Sequence, residues 1–309
     1  MSIPTPLRAA KWALIGAIAT VSLIACSPQY SPSENVTRYQ AAQAPKTTRF
    51  IAFGDWGTGA KSQFRLADQM AAHHAKDPFS FALLLGDNFY PNGVKDENDP
   101  YWTDLFQKPY APLLRAGVNF YATLGNHDIR TANGAGQLTY AKKNPQWVLP
   151  NPYYRFSDGD VDFFAVDGNE GHFDAAQQAW LDRALASSQK TWRVVFGHFP
   201  LRSNGIHGDS KWLHGTLKPI LEKHKVDLYL AGHDHDIEFL PPENGVHAIV
   251  AGGGGAMVYP LKPWGKSLYR GMAWSFISAT ATSQSMQIKA IDDHGKELYQ
   301  MTLKPNRGI

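Results

Sequence analysis

Five short stretches of this chain carry side chains that bind metal ions: Asp55-Trp56-Gly57, Gly86-Asp87-Asn88-Phe89-Tyr90, Gly125-Asn126-His127-Asp128, Val195-Phe196-Gly197-His198 and Gly232-His233-Asp234-His235. Together they offer two carboxylates, a phenol, an amide and three imidazoles, enough to fill two metal sites. A single Gly-Asp or Gly-His pair arises often by accident, and a buried histidine is usually a core residue with its hydrogen bonds met. All five in order, each just past an apolar run that reads as a strand, point instead to a binuclear metal centre. Tyr90 is the most informative donor. A phenol with a free pKa of about 10 needs a strongly acidic metal to bind as phenolate.

The elements that must position these residues are legible as apolar runs at 49–53, 81–85, 119–124, 161–166, 192–196, 227–231 and 247–251. Most are continuously apolar, as in strands buried on both faces. Helical patterns lie between them: 63–76, stopped by Asp77-Pro78; 174–187, where Asp174 and Gln177 resemble a capping box; and 212–224. The C-terminal part changes character, with antiparallel strands expected over 273–291 and 297–303 around an Asp292-Asp293-His294-Gly295 turn. The fold class expected is therefore α/β: two packed mixed β-sheets flanked by helices. In such architectures sites form at the C-terminal ends of strands. The aromatic- and Pro-rich segments 92–119 and 130–152 are expected to be loops over that edge that select substrate. The Gly252–255 run reads as a tight turn rather than a phosphate cradle, because no helix-plus-Lys pattern follows it.

With 309 residues, 43% of them hydrophobic, the chain can bury a large core, and a formal charge of +3 gives no case for nucleic-acid binding. Arg8 and Lys11 precede an apolar stretch over 12–25 that is too short to span a membrane comfortably and reads as an export signal. It ends in Leu23-Ile24-Ala25-Cys26, which resembles a bacterial lipobox. That resemblance implies a lipid on Cys26 and an exported, periplasmic or cell-surface lipoprotein; Ser27 favours the outer membrane if the cell is Gram-negative. The alternative is an ordinary cleaved signal with Cys26 incidental. Residues 1–25 are thus expected to be a signal peptide, 26–47 a flexible tether, and 48–309 the catalytic domain. Cys26 is the only cysteine, so no disulfide within the chain is possible.

The order and content of the five motifs resemble the purple acid phosphatases, a branch of the metallophosphoesterases, and in particular their small single-domain type. That resemblance implies that Asp55, Tyr90 and His235 bind one metal, that Asn126, His198 and His233 bind the other, and that Asp87 bridges them. The charges agree: two carboxylates and a phenolate suit Fe(III), whereas the site with an amide and neutral imidazoles suits Fe(II), Zn(II) or Mn(II). Many other metallophosphoesterases place a His two residues after the first Asp. Here that position is Gly57, and Tyr90 supplies the missing ligand.

The family likeness further implies an acid phosphatase, a phosphoric monoester hydrolase in which metal-bound hydroxide attacks phosphorus. His127 would hydrogen-bond the phosphate or protonate the leaving group, or else merely orient Asn126. His207 matches a second substrate-side histidine, the alternative being a surface loop residue. Asp128 orients His127 or caps a turn. The other histidines (His73, His74, His172, His214, His224, His247 and His294) fit no ligand spacing, and Trp56 is expected in the core. Asp236 stands where the mammalian type has Asn, and the segment between Asp167 and Asp174 is too short for that type's protease-sensitive loop, so activation by proteolysis is not expected. The chain is expected to act as a monomer on a phosphate ester. The alternatives are a phosphodiesterase or nucleotide hydrolase on the same scaffold, and a surface binding protein that retains a metal site.

Overall fold

The computed structural model describes residues 47–262 and 265–306. The expected export signal, Cys26 and the expected tether up to residue 46 lie outside the described residues. Two seven-stranded sheets make up the body. In the first, β1 (Thr48–Phe53), β2 (Phe81–Leu84), β3 (Asn119–Ala122) and β4 (Trp147–Val148) run parallel. The antiparallel strands β12 (Ser275–Ala281), β13 (Met286–Asp292) and β14 (Glu297–Leu303) extend it beyond β1. In the second, β6 (Val161–Ala165), β7 (Trp192–Phe196), β8 (Leu228–Ala231) and β10 (Val246–Ala251) are parallel. Antiparallel β5 (Tyr154–Asp158) flanks β6, and β9 (Ile237–Glu243) and β11 (Tyr269–Gly271) extend the far edge.

The two sheets face each other through apolar side chains. Phe163 of β6 meets Phe50 of β1 and Phe81 of β2 edge-on, at ring separations of 5.2 and 5.3 Å. Parallel neighbours need crossovers, and helices supply them. Helix α1 (Lys61–Lys76) links β1 to β2, α4 (Ala175–Ala186) links β6 to β7, and α5 (Lys211–Lys223) links β7 to β8. Helix α5 packs through Leu213, Leu217 and Leu221, spaced four apart on one face and fully buried. Each such leucine stabilises the fold by about 2 kcal/mol. Asp174 caps α4 by accepting from the Gln177 N–H at 2.8 Å. The Gln177 side chain does not close the expected box; it bonds the backbone N–H and C=O of Asp167 instead.

Three expectations need correction. The segment 273–291 is not one strand: β12 and β13 are separated by a turn in which Thr282 N–H donates to the Ser285 carbonyl. The segment 92–119 is not only loop, since it holds a π-helix (Trp102–Gln107) and helix α2 (Ala111–Arg115). The segment 130–152 likewise forms helix α3 (Ala135–Lys143) and β4. Apart from the exposed Tyr101, their large aromatics turn inward. Trp102, Phe106, Tyr110 and Trp147 are buried with Trp56 and Phe89. The separations between contacting rings run from 4.7 Å for Phe89–Trp102 to 6.4 Å for Trp56–Trp147. A buried aromatic cluster gains more from apolar contact than an exposed one does, and this one backs the loops that carry Asp55 and Asp87.

Candidate metal centre

Strands β1, β2 and β3 lie side by side, and so do β7 and β8. Their C-terminal ends deliver the five motifs to one place. Asp55 and Asp87 have φ of 62° and 50°, and His233 has 70°. These are left-handed conformations that cost side-chain-bearing residues free energy, and such outliers collect at functional sites. Close backbone lacing holds them: Asp55 N–H donates to the Gly86 carbonyl at 3.0 Å, and Tyr90 N–H to the Gly57 carbonyl at 2.9 Å. Gly57 has no room for a side chain, because a Cβ there would overlap the Asn88 carbonyl. A histidine at this position and the present Tyr90 loop therefore exclude each other. Gly125 is needed for a similar reason, since its Cβ would run into the Asp87 carboxylate. The Gly252–255 run is a turn whose Gly254 N–H bonds the Gly54 carbonyl at 2.9 Å, pressing β10 against the Asp55 loop.

All seven metal-ligating residues expected from the sequence meet. The Tyr90 hydroxyl lies 3.1 Å from Asp55 Oδ1, 3.0 Å from Asp87 Oδ2 and 3.1 Å from His235 Nε2. His198 Nε2 lies 3.5 Å from Asp87 Oδ1, 3.1 Å from Asn126 Oδ1 and 3.2 Å from His233 Nδ1. Asp55, Asp87 and His198 are buried and place one ligand atom each within 4.8 Å of one another. Such a cluster cannot be satisfied by its own protons. One phenolic hydrogen faces two carboxylates and an imidazole nitrogen, and a phenol donates only once. Burial, then the charges of Asp55 and Asp87, push the Tyr90 pKa well above its usual value. Nearby cations would reverse the electrostatic part of that shift. The donor set therefore fits a pair of metal ions.

The imidazoles are aimed by acceptors behind them. His198 Nδ1 bonds the Leu85 carbonyl at 2.9 Å, and His235 Nδ1 bonds the Met257 carbonyl at 2.7 Å. Each bond fixes the tautomer that leaves Nε2 free as a ligand. Burial opposes charge on both rings, yet Asp87 and Asp55 hold the His198 pKa above normal, and Asp55 does the same for His235. Burial, then His198, pushes the His233 pKa down to about 2, so its ring is neutral. Asp55 is pulled below the usual carboxylate range: burial opposes this, and His198, His235 and His233 outweigh it.

The remaining sequence candidates surround this cluster. The His127 ring meets that of Tyr90 at 4.4 Å with the planes tilted by 48°, its Nδ1 bonds the Pro91 carbonyl at 2.7 Å, and its Nε2 faces Asp87 Oδ2 at 3.8 Å. It does not orient Asn126 by a hydrogen bond. The exposed His207 lies 4.5 Å from the His233 ring. Asp128 does not touch His127 as an orienting partner. It is a buried clamp that accepts from the Asn88, Phe89 and Gly125 N–H groups at 2.8–3.1 Å and from Gln137 Nε2 at 2.7 Å. Burial and the neighbouring Asp87 raise its pKa to about 7, against the pull of those donors. Trp56 is fully buried, with its indole N–H on Asn88 Oδ1 at 3.1 Å.

His73, His74, His172, His214 and His224 bond elsewhere, as His172 does to Asp167 at 2.8 Å. Sequence reading missed Asp234, which accepts from the His207 and Gly208 N–H groups at 2.9 and 3.2 Å and so ties the His207 loop to the His233 motif. The signal it did carry was its place between two expected ligands, His233 and His235. The Met257 carbonyl gave none, since a backbone acceptor has no residue type.

The calcineurin-like phosphoesterase family model matches residues 48–236. Pig tartrate-resistant acid phosphatase type 5 is 30% identical over 92% of this chain and 95% of its own. The rat enzyme of that name is 31% identical over 84% and 91%. Purple acid phosphatase 17 of Arabidopsis thaliana is 30% identical over 95% and 96%. Among solved structures, the fold is similar to GAP50, the anchor in the inner membrane complex of Plasmodium (TM-score 0.73, 24% identity, 84% of this chain and 89% of that one). It is also similar to purple acid phosphatase PPD1 from yellow lupin seeds (TM-score 0.67, 18% identity, 84% and 55%). Sequence kinship over nearly the full length, together with the cluster of donors at five strand ends, places this chain in the calcineurin-like phosphoesterase family, in its purple acid phosphatase branch, as a metal-dependent phosphatase.

Proposed function

We propose that the chain hydrolyses phosphate monoesters with Fe(III) held by Asp55, Tyr90 and His235, a divalent Fe, Zn or Mn held by Asn126, His198 and His233, and Asp87 shared between them. The observation that carries this reading is the Tyr90 hydroxyl meeting Asp55, Asp87 and His235 at 3.0–3.1 Å with a single proton to share. When bound, such a pair supplies Lewis acidity toward phosphate oxygens and lowers the pKa of water. The protein's own groups do the rest. His127 presents Nε2 to the site because its Nδ1–H is engaged by the Pro91 carbonyl, so in its doubly protonated form the ring gives a proton from Nε2 to the leaving oxygen and becomes the neutral Nδ1–H tautomer. His207, on the opposite flank beside His233, donates to a phosphate oxygen and helps neutralise charge on the transferring group.

The export signal and a lipid on Cys26 complete the proposal: the enzyme works outside the cytoplasm, tethered to a membrane, and needs no proteolytic cut. The short segment after Asp167 supports the last point, since Asp167, Asn169 and His172 close it into a bonded turn. Purified wild type should be purple from tyrosinate-to-Fe(III) charge transfer, and Tyr90→Phe should bleach it. It should turn over para-nitrophenyl phosphate far faster than its bis-ester. A colourless, iron-free but active wild type would sink the iron assignment. Preference for the bis-ester would make the chain a phosphodiesterase.

A further inference from the structure

An arc of rings surrounds the centre. It runs from His127 to Tyr90 (4.4 Å) and His235 (6.1 Å), and from His207 to His233 (4.5 Å) and His198 (5.0 Å). One residue closes the arc between its two arms. Tyr259 stacks on His235 at 4.3 Å with an interplanar angle of 11°, and meets His207 edge-on at 5.9 Å and 72°. Its backbone N–H bonds the His235 carbonyl at 3.1 Å, so the ring is anchored by its own main chain as well as by stacking. It is only half-buried. Ile206 and Met257 flank the His207–Tyr259 contact in sequence, and both are large apolar residues left exposed, at 46% and 72%. His207 holds its place through Asp234.

We propose that Tyr259, with His207 at its edge, is the specificity-determining wall for the organic group of the ester, and that it favours flat aromatic groups over short aliphatic ones. This rests on the reading that phosphate monoesters are hydrolysed at the centre. Of the rings in the arc, Tyr259 is neither an expected metal ligand nor an expected proton donor. It presents an uncharged aromatic surface at the rim, where the carbon attached to the ester oxygen must lie. Aromatic pairs are stabilised beyond their contact area, and a short aliphatic chain gains none of this. A small aryl phosphate and a phosphotyrosine side chain in a peptide present the same planar phenol.

The test measures kcat and KM of the metal-loaded enzyme for phenyl phosphate, a phosphotyrosine peptide and glycerol phosphate, in wild type, Tyr259→Ala and Tyr259→Phe. Metal content and the visible spectrum are recorded for each. Tyr259→Ala should raise KM for aryl esters about five- to tenfold, while kcat, KM for glycerol phosphate and metal content stay within about twofold of wild type. Tyr259→Phe should match wild type. A rise for phenyl phosphate alone assigns the wall to small aryl esters, one for the peptide alone assigns it to phosphotyrosine, and either supports the proposal. Parallel losses on all three esters, or loss of metal, would show that Tyr259 merely supports His235 and overturn it. So would a Phe variant as impaired as Ala. A wild type inert on every ester overturns the phosphatase reading and the inference with it, whereas an active wild type with flat variants overturns the inference alone.

Discussion

Asp55, Asp87, Tyr90 and Asn126 come from the ends of β1, β2 and β3 in one sheet, whereas His198, His233 and His235 come from β7 and β8 in the other. The first sheet thus contributes only oxygen donors, the second only imidazole nitrogens. The two sets are oriented by opposite means. Carboxylates can only accept, so N–H groups hold them: His127 N–H on Asp87 Oδ1 at 2.8 Å and His233 N–H on Asp55 Oδ2 at 2.8 Å. Imidazoles need one nitrogen engaged to free the other, so carbonyls hold them, from Leu85 and Met257. Several of these bonds cross from one sheet to the other. His198 is aimed by Leu85 of the oxygen sheet, and Asp55 is held by His233 of the imidazole sheet. Neither half is therefore fully shaped until the sheets have packed.

The sharpest way to break this division is to remove the residue proposed to be common to both metals. Asp87→Ala should strip both ions and lower turnover by well over about 100-fold, the scale at which even outer partners of metal ligands matter. His233→Ala or His198→Ala should lose comparable activity while keeping the iron and its colour, since the oxygen donors remain. Metal analysis beside the visible spectrum checks both. Loss of colour in His233→Ala would mean that the two halves do not bind independently.

Next comes the proton donor. His127→Ala should lower kcat by about 10²–10³-fold with both metals retained. Its effect should shrink for esters with acidic leaving groups, which depart without help. Equal loss on all esters would assign His127 to phosphate binding rather than to proton transfer.

A stability effect should follow from Asp128, which belongs to the oxygen half but binds nothing. Replacing it by Ala orphans three buried backbone N–H groups in the loops that carry Asp87, Tyr90 and Asn126. A loss of about 3 kcal/mol is expected by denaturant titration, together with weaker metal binding. A stable variant with normal metal affinity would show that the loops hold their shape without it.

The division between halves also explains what could be read from sequence. The residues that cluster here were legible because each sits two to six residues past a strand end, and strands buried on both faces are unbroken apolar runs. Thr48–Phe53 and Trp192–Phe196 were visible for that reason. The short or polar strands were not: β11 has only Tyr269–Gly271, and β9 ends in Leu240-Pro241-Pro242-Glu243. The aromatics of 92–152 misled because composition does not say which way a ring faces. Trp102 and Trp147 turned inward. Residues that act through their backbone, such as Met257, leave no trace in residue type.

The smallest effect on activity, and the clearest in pH, concerns an acid in the imidazole half. Asp236 follows His235, and both its carboxylate oxygens are buried without a hydrogen-bond partner among the described residues. Burial, then the charges of Glu238, Asp234 and Asp55, push its pKa up to about 9. An acid whose folded pKa exceeds its unfolded value binds its proton more tightly when folded. Its penalty on stability therefore begins near an unfolded pKa of about 4, grows as pH rises, and levels off past the folded value. The raised pKa values of His198 and His235 act in the same sense, because their contribution is complete below an unfolded pKa of about 6.5 and is lost as pH rises through the folded values. These three groups thus cost the metal-free protein stability as pH rises above about 4, whereas the depressed pKa values of Asp55 and His233 act in the opposite sense and cost it stability in acid. Asp236→Asn keeps the shape without the charge, so the metal-free variant should gain about 2 kcal/mol at pH 8 and nothing at pH 4. Two bound cations favour the carboxylate and should shrink the gain, while turnover of the loaded enzyme changes little. If the metal-free variant and wild type unfold at the same denaturant concentration at pH 8, Asp236 has found a partner in solution. The imidazole half would then carry no uncompensated charge, and its dependence on metal would rest on the histidines alone.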